Sequence, residues 1–219
     1  MTGDSLQGCQ EVKIVEGFAG TKSISKEVER QGGKAFTIEI NADQNPSLCK
    51  DIREVTRKDI PDEYMKPLIA WFSVPCTQFS IASVGTHWKE GVPPREGVEL
   101  LMHTFRLINI LQPKYWFIEN PRGMMRKLPM MQALPRQTVT YCQYGDNRMK
   151  PTDIWTNCYE WSPRPMCSNG DSCHESAPRG SPTGTQGLRG NTERSVIPSQ
   201  LCKEIVLACI GKERQEVLL

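Results

Sequence analysis

The sequence has no apolar run near the ~20 residues that a membrane-crossing helix needs, and its first residues lack the basic segment and apolar core of a secretion signal. A cytoplasmic protein is expected. An excess of charge is also missing. With 27 basic and 25 acidic residues the formal net charge is +2, so no overall electrostatic footprint announces a nucleic-acid partner, and any basic contact surface must be local. There is no internal repeat. What the chain does carry is an odd number of cysteines, nine in 219 residues. An odd count leaves no complete pairing, and a reducing compartment keeps such thiols free, so some are expected to be ligands or nucleophiles. The length suits one domain with a full core and a small appendage at most.

Residues 12–18 form a short apolar segment ending in Gly17-Phe18-Ala19-Gly20. Residues 23–32 have the pattern of an amphipathic helix with a serine cap and a glycine stop. Strand, glycine turn and helix open a nucleotide-type crossover. Residues 34–40 make a second strand with Glu39 near its carboxyl end, about twenty residues after the glycine turn. That spacing suits a carboxylate accepting from ribose hydroxyls; an ordinary solvated acid fits it equally. Asp51 either accepts from an adenine amino group or caps a turn.

Residues 68–74 read as a buried strand that stops at Pro75, with Cys76 immediately after it. Residues 84–95, bearing Gly, Pro and Trp88, predict a loop and a candidate mobile lid. Val98, Leu101, Phe105 and Ile108 recur at helical spacing, so residues 97–111 predict a core-facing helix. Tyr115-Trp-Phe-Ile-Glu119-Asn120-Pro121 repeats the pattern of an apolar strand with an abrupt polar end. Residues 124–134 predict a short helix broken by Pro129, residues 136–144 and 152–157 two more strands, and Pro198-Ser199 the start of a closing helix. Strands alternating with helices imply an α/β fold, a parallel or mixed sheet with helices on both faces. Such sheets bind ligands in the crevice beyond the carboxyl ends of their strands. Cys76 is therefore a candidate nucleophile, the competing reading being a small buried hydrophobe, and Glu119 lands on the same edge.

Three ordered signals, Phe18-Ala19-Gly20 in a strand-to-helix turn, Pro75-Cys76 with Phe79-Ser80, and Glu119-Asn120-Pro121, resemble the DNA cytosine-5 methyltransferase family, most of all its short phage-type members. The resemblance extends over nearly the whole chain, through Tyr144-Gly-Asp-Asn-Arg148-Met-Lys150 and Arg194-Ser-Val-Ile-Pro198. It implies a Rossmann-like class I S-adenosylmethionine-dependent methyltransferase sheet and methyl transfer to C5 of cytosine in double-stranded DNA, with the base flipped out of the stack. For a phage-encoded chain the location would be the host cytoplasm. Cytosine C5 is too weak a nucleophile on its own, so a thiolate adds first to C6. The resemblance gives that role to Cys76. It has Glu119 relieve the charge at N3, with a carboxyl pKa raised by burial, and brings Arg148 and Lys150 to the base and the thiol, where a cation favours the thiolate.

The donor, S-adenosylmethionine, would meet Phe18, Ala19, Gly20 and Pro75, with Glu39 at its ribose, Asp51 and Ile52 at its adenine, and Ser195 and Val196 closing from the far end. Gln78 and Ser80 are expected on the DNA side. The sequence departs from the family pattern at Asp146, where Gln is usual, at Lys150, where Arg is usual, at Thr77-Gln78, and at Glu16-Gly17, which replace an Asp-Leu pair.

Residues 1–157 and 194–219 are thus expected to form the catalytic domain. Residues 158–193, rich in Pro, Ser, Gly, Thr, Asn and Arg, would be a small irregular insertion, a candidate DNA-recognition segment carrying Arg164, Arg179 and Arg189 for phosphates or guanine edges. Cys158, Cys167, Cys173 and His174 within it are a candidate zinc set, since a small loop cannot order itself by burial alone; incidental thiols in a flexible loop are the alternative. A monomer is expected. Competing functions are a DNA-binding protein of the same fold that has lost turnover, and a cytosine methyltransferase acting on RNA or free nucleotide.

Overall fold

The structure, a computed structural model, describes residues 11–81, 84–85, 88–89, 91–175 and 191–211. Among them a seven-stranded sheet runs in the order β3-β2-β1-β4-β5-β7-β6. Its strands are β1 (Lys13–Gly17), β2 (Lys34–Glu39), β3 (Leu48–Cys49), β4 (Ile69–Ser73), β5 (Tyr115–Pro121), β6 (Arg136–Thr140) and β7 (Pro151–Thr156). The first five are parallel; β7 pairs antiparallel with both β5 and β6. The helices are α1 (Ser23–Arg30), α2 (Arg95–Leu111), α3 (Pro129–Gln132), α4 (Asn191–Ser195) and α5 (Ser199–Cys209).

Strands buried on both faces are apolar along their whole length rather than alternating, and Ile69, Ala70, Trp71 and Phe72 of β4 are all fully buried. One face packs Ile14, Trp71 and Phe117 against Ile24 and Val28 of α1 and Leu201, Ile205 and Val206 of α5. The other packs Val15, Ala70 and Phe72 against Leu107 and Leu111 of α2. The strand order reverses between β1 and β4, and the crevice outside that switch is where open α/β sheets take their ligands. Gly17 is required there because β4 comes close: a Cβ would lie 2.5 Å from the Phe72 ring.

Three local expectations are corrected. No serine caps α1: its N-cap is Lys22, in the left-handed region, while Ser23 reaches across to accept from the Ile197 backbone N–H at 3.2 Å. The first-turn N–H of Ser25 donates instead to Glu16 at 3.0 Å, so a buried carboxylate at the end of β1 does the capping. The strand predicted over 136–144 ends at Thr140, where a 3-10 turn, Tyr141–Tyr144, takes the chain off the sheet. The short helix predicted over 124–134 divides into a 3-10 turn and α3, with Pro129 beginning the latter. Residues 158–175 contain no helix or strand, yet Cys158 and Trp161 are buried in the main core. No described helix is long and apolar enough to cross a membrane.

Burial pushes the Glu16 carboxyl up to about 7, against the opposing hydrogen bonds from Ser25. The folded state then holds a proton that the unfolded chain, titrating near 4.5, releases. This contribution is fully present below that value and is lost as pH rises through 7. Between pH 5 and 8 it should remove about 3 kcal/mol of stability. Urea midpoints at the two pH values should show this fall in the wild type and a flatter profile in Glu16→Gln.

Candidate active site

β4 and β5 pair in register with Ser73 opposite Glu119. The chain leaves β4 through Val74 and Pro75 into a 3-10 turn, Cys76–Gln78, so Cys76 and Glu119 stand at the carboxyl ends of adjacent strands. Asn120 fixes the geometry: its buried side-chain amide donates to the Val74 carbonyl at 2.7 Å, tying the two strand ends together. Cys76 is exposed, whereas Glu119 is buried.

Glu119 is enclosed by donors. Tyr141 Oη donates to it at 3.3 Å, and Ser73 supplies a second hydrogen bond. Ser73 Oγ accepts from Trp71 Nε1 at 2.9 Å; an indole N–H can only donate, so the hydroxyl proton is left for the carboxylate. Burial raises the pKa of Glu119 against the pull of Lys150. Lys150 is held with its ammonium over the Tyr141 ring at 4.5 Å and donates to the Arg194 carbonyl at 2.6 Å. Its backbone φ of 26° is an unusual conformation for a side-chain-bearing residue. Burial lowers the ammonium pKa, while Glu119 opposes that shift. The Cys76 thiol is raised by desolvation and by the Glu119 charge, with Lys150 and Arg194 pulling it down less strongly.

Beside this pair lies a cavity of about 490 Å³. Phe18 and Gly20 from the end of β1, Glu39 from β2, Asp51 and Ile52 from the turn after β3, and Ser73 and Pro75 from β4 line it, with Gln78, Leu100 and Ser195 at its margins. Phe18 has φ 55°, a left-handed turn that exposes its ring to the cavity. Glu39 accepts from Gly20 N–H at 3.1 Å and, through its other oxygen, from Ile40 and Asn41 N–H. Asp51 is held by Arg53, whose hydrogen bonds draw its pKa down. Residues either side of Cys76, Pro75 and Thr77, line the same cavity, and Ser73 both lines it and bonds Glu119.

Other expected site residues lie elsewhere. Ala19 is buried, with its N–H donated to the Ile38 carbonyl rather than facing the cavity. Val196 is 43% exposed and lies outside the cavity lining that includes Ser195. Gln78 turns toward the cavity, donating to Glu96 at 2.8 Å, and Ser80 is half-buried, its N–H on the Cys76 carbonyl at 2.9 Å. Arg148 is gripped through two guanidinium nitrogens by Asp146, with Nη1 buried and unpartnered. Arg164 is committed inside the protein, to Glu204 at 2.8 Å, to the Gln143 carbonyl at 2.6 Å and over the Tyr144 ring. Cys158 leaves the candidate zinc set: it packs in the core 3.9 Å from Cys209. Arg179 and Arg189 lie outside the described residues.

Residues 13–130 match the family described as C-5 cytosine-specific DNA methylase. The chain belongs to this family. It is 28% identical over 174 residues, covering 74% of this chain and 78% of the relative, to a Frog virus 3 (isolate Goorha) protein named as a DNA (cytosine-5)-methyltransferase. Among solved structures it resembles a DNA modification methyltransferase encoded within an E. coli prophage, with a TM-score of 0.52 at 18% identity over 67% of this chain and 46% of that one. A Spodoptera frugiperda DNMT2 mutant matches with a TM-score of 0.46 and 14% identity, over 67% of this chain and 49% of that one. The chain thus spans about half the length of these solved structures.

The fold is the Rossmann-like class I methyltransferase fold. The matched range contains the Phe18 turn, Cys76 and Glu119. The loop carrying Lys150 and the segment carrying Arg194 lie beyond it. Ser73 and Tyr141, the two hydroxyls on Glu119, escaped the sequence reading. Ser73 carries no local mark inside an apolar strand, and strand register alone sets it opposite Glu119; Tyr141 reaches Glu119 from the turn after β6.

Site-resolved alkylation by iodoacetamide should place the Cys76 thiol above its ordinary value in the ligand-free protein. Glu119→Gln should lower that midpoint, by removing an anion, and Lys150→Gln should raise it. Opposite movements would contradict the electrostatic arrangement.

Proposed function

We propose that this methylase transfers a methyl group from S-adenosylmethionine to C5 of cytosine in DNA, through a covalent bond between Cys76 and C6 of an extruded base. The observation that carries the reading is the pairing of an accessible thiol and a buried carboxyl on adjacent strand ends, opening beside a cavity at the sheet's switch point. The cavity has the size of a small-molecule site. Its residues suit the donor: Phe18, Ile52 and Leu100 offer apolar surface for an adenine, and Glu39 and Asp51 offer carboxylate oxygens for hydroxyl and amino groups. When bound, the donor supplies an electrophilic methyl carbon.

Glu119, with its pKa raised by burial, is the group that would deliver a proton to cytosine N3 as charge builds on the ring. Lys150 and Arg194 stabilise the Cys76 sulfur as its proton leaves to solvent, and the sulfur then adds to C6 while the ring's 5,6 double bond shifts its electrons to C5. C5 would take the methyl group as its bond to the donor's sulfonium sulfur breaks, leaving a neutral thioether; C5 then loses its own proton to solvent, N3 returns its proton to Glu119, and the C6–S bond breaks to restore the thiolate and the 5,6 double bond. A base inside a stacked duplex cannot reach Cys76, so it must be flipped out.

A second reading has one observation behind it. Asp146 occupies the Arg148 fork, which withdraws that cation from the base and fits a DNA-binding protein of the same fold without turnover.

The full chain, given S-adenosylmethionine and a duplex carrying 5-fluorocytosine, should yield a covalent adduct on Cys76 by mass spectrometry. Cys76→Ala should give no adduct and no methyl transfer, and Glu119→Gln should slow transfer by about 10²–10⁴-fold. RNA and free cytidine nucleotide as competitors should not inhibit. Tight DNA binding with no adduct and no transfer would select the second reading instead.

A further inference from the structure

Outside the active site, three thiols and an imidazole converge: Cys142 in the 3-10 turn after β6, Cys167, and the adjacent Cys173 and His174. Their ligand atoms all lie within 4.8 Å of one another. Cys142 Sγ is 3.1 Å from Cys167 Sγ and 3.6 Å from Cys173 Sγ. His174 Nδ1 is 3.7 Å from Cys167 Sγ and 3.5 Å from Cys173 Sγ.

Zinc–sulfur bonds of about 2.3 Å and zinc–nitrogen bonds of about 2.0–2.1 Å, set tetrahedrally, put sulfurs about 3.8 Å apart and sulfur about 3.6 Å from nitrogen. Three of the four spacings fall close to those edges. The fourth, between Cys142 and Cys167, is shorter but far from the ~2.05 Å of a disulfide, and both thiols are free. His174 Nε2 is buried with no hydrogen-bond partner, so no other bond orients the ring that turns Nδ1 toward the sulfurs.

We infer that Cys142, Cys167, Cys173 and His174 bind one structural zinc ion. Four protein ligands of the Cys₃His type complete a tetrahedral shell and leave no open position, which is the structural rather than the catalytic form of such a site. Binding converts three thiols to thiolates with release of three protons, the imidazole staying neutral, so the centre carries a net charge of −1.

The ion answers a physical need of this segment. Residues 158–175 have no helix or strand; Cys158 and Trp161 anchor their start in the core, and Arg164 ties them to Glu204 and to the Gln143 carbonyl. Cys167 N–H donates to Thr140 Oγ1 at 3.2 Å, and Glu175 N–H donates to the Asn147 carbonyl at 2.9 Å. A metal would fasten the segment to the turn that begins at Tyr141, next to the hydroxyl on Glu119. The site does not depend on the reaction assigned above.

The untagged full chain, purified after expression with added zinc, should carry about one zinc per chain by mass spectrometry of the metals. After chelation, added Co²⁺ should give the visible bands of a tetrahedral site with thiolate charge transfer. Cys173→Ser, at an exposed position, and Cys167→Ser should drop bound zinc to background, while Cys158→Ser and Cys49→Ser should keep it. Chelation should lower the melting temperature of the wild type and leave Cys173→Ser unmoved. Wild-type protein without zinc, or loss of zinc from Cys158→Ser equal to that from Cys173→Ser, would overturn the assignment, as would a Cys142–Cys167 disulfide in the freshly purified chain.

Discussion

The parallel pairing of β4 with β5, Ser73 opposite Glu119, is the constraint on which the active site rests. Neither Cys76 nor Glu119 is placed by a loop of its own choosing. Each stands where a buried strand runs out, and the strands are locked by backbone hydrogen bonds, by the stacked Trp71 and Phe117 rings at 5.3 Å, and by the Asn120 amide across the gap. A one-residue slip in this register would turn Glu119 to the opposite face of the sheet. Rigidity of this kind lets a reactive group be held near its working position without ordering cost when substrate arrives.

Charge at the site is balanced against burial. Glu119 alone would be a costly anion, and Lys150 alone a costly cation; each moderates the other's shift, and the Tyr141 ring and hydroxyl serve both. Cys76 lies at the edge of this arrangement, where desolvation and the Glu119 charge push its thiol pKa up and Lys150 and Arg194 pull it down less strongly.

Much of this was legible in the sequence because it is written in local patterns. Apolar runs ending at Pro75 and Asn120 marked two strand ends, and a glycine turn marked a third; parallel sheets place such ends together. Long-range relations were not legible. Nothing near Glu16 announces that it caps α1, because that bond depends on strand and helix packing. The metal cluster shows the same limit. Shared membership of one coreless segment suggested Cys158, but that residue follows β7 directly into the core, and the remaining thiol, Cys142, comes from the Tyr141–Tyr144 turn, outside that segment. Arg164 read as a phosphate contact because its neighbours are polar, yet Glu204 on the last helix claims it.

The bond between Ile197 N–H and Ser23 Oγ joins residues 174 positions apart, and around it α5 covers the apolar side of α1 and β1. During synthesis at the ribosome, α1 must wait on the order of ten seconds or more for that cover. Ile24, Val28 and Ile14 stay wet for the whole interval. A nascent chain in this condition exposes apolar surface of the kind that holding chaperones cover.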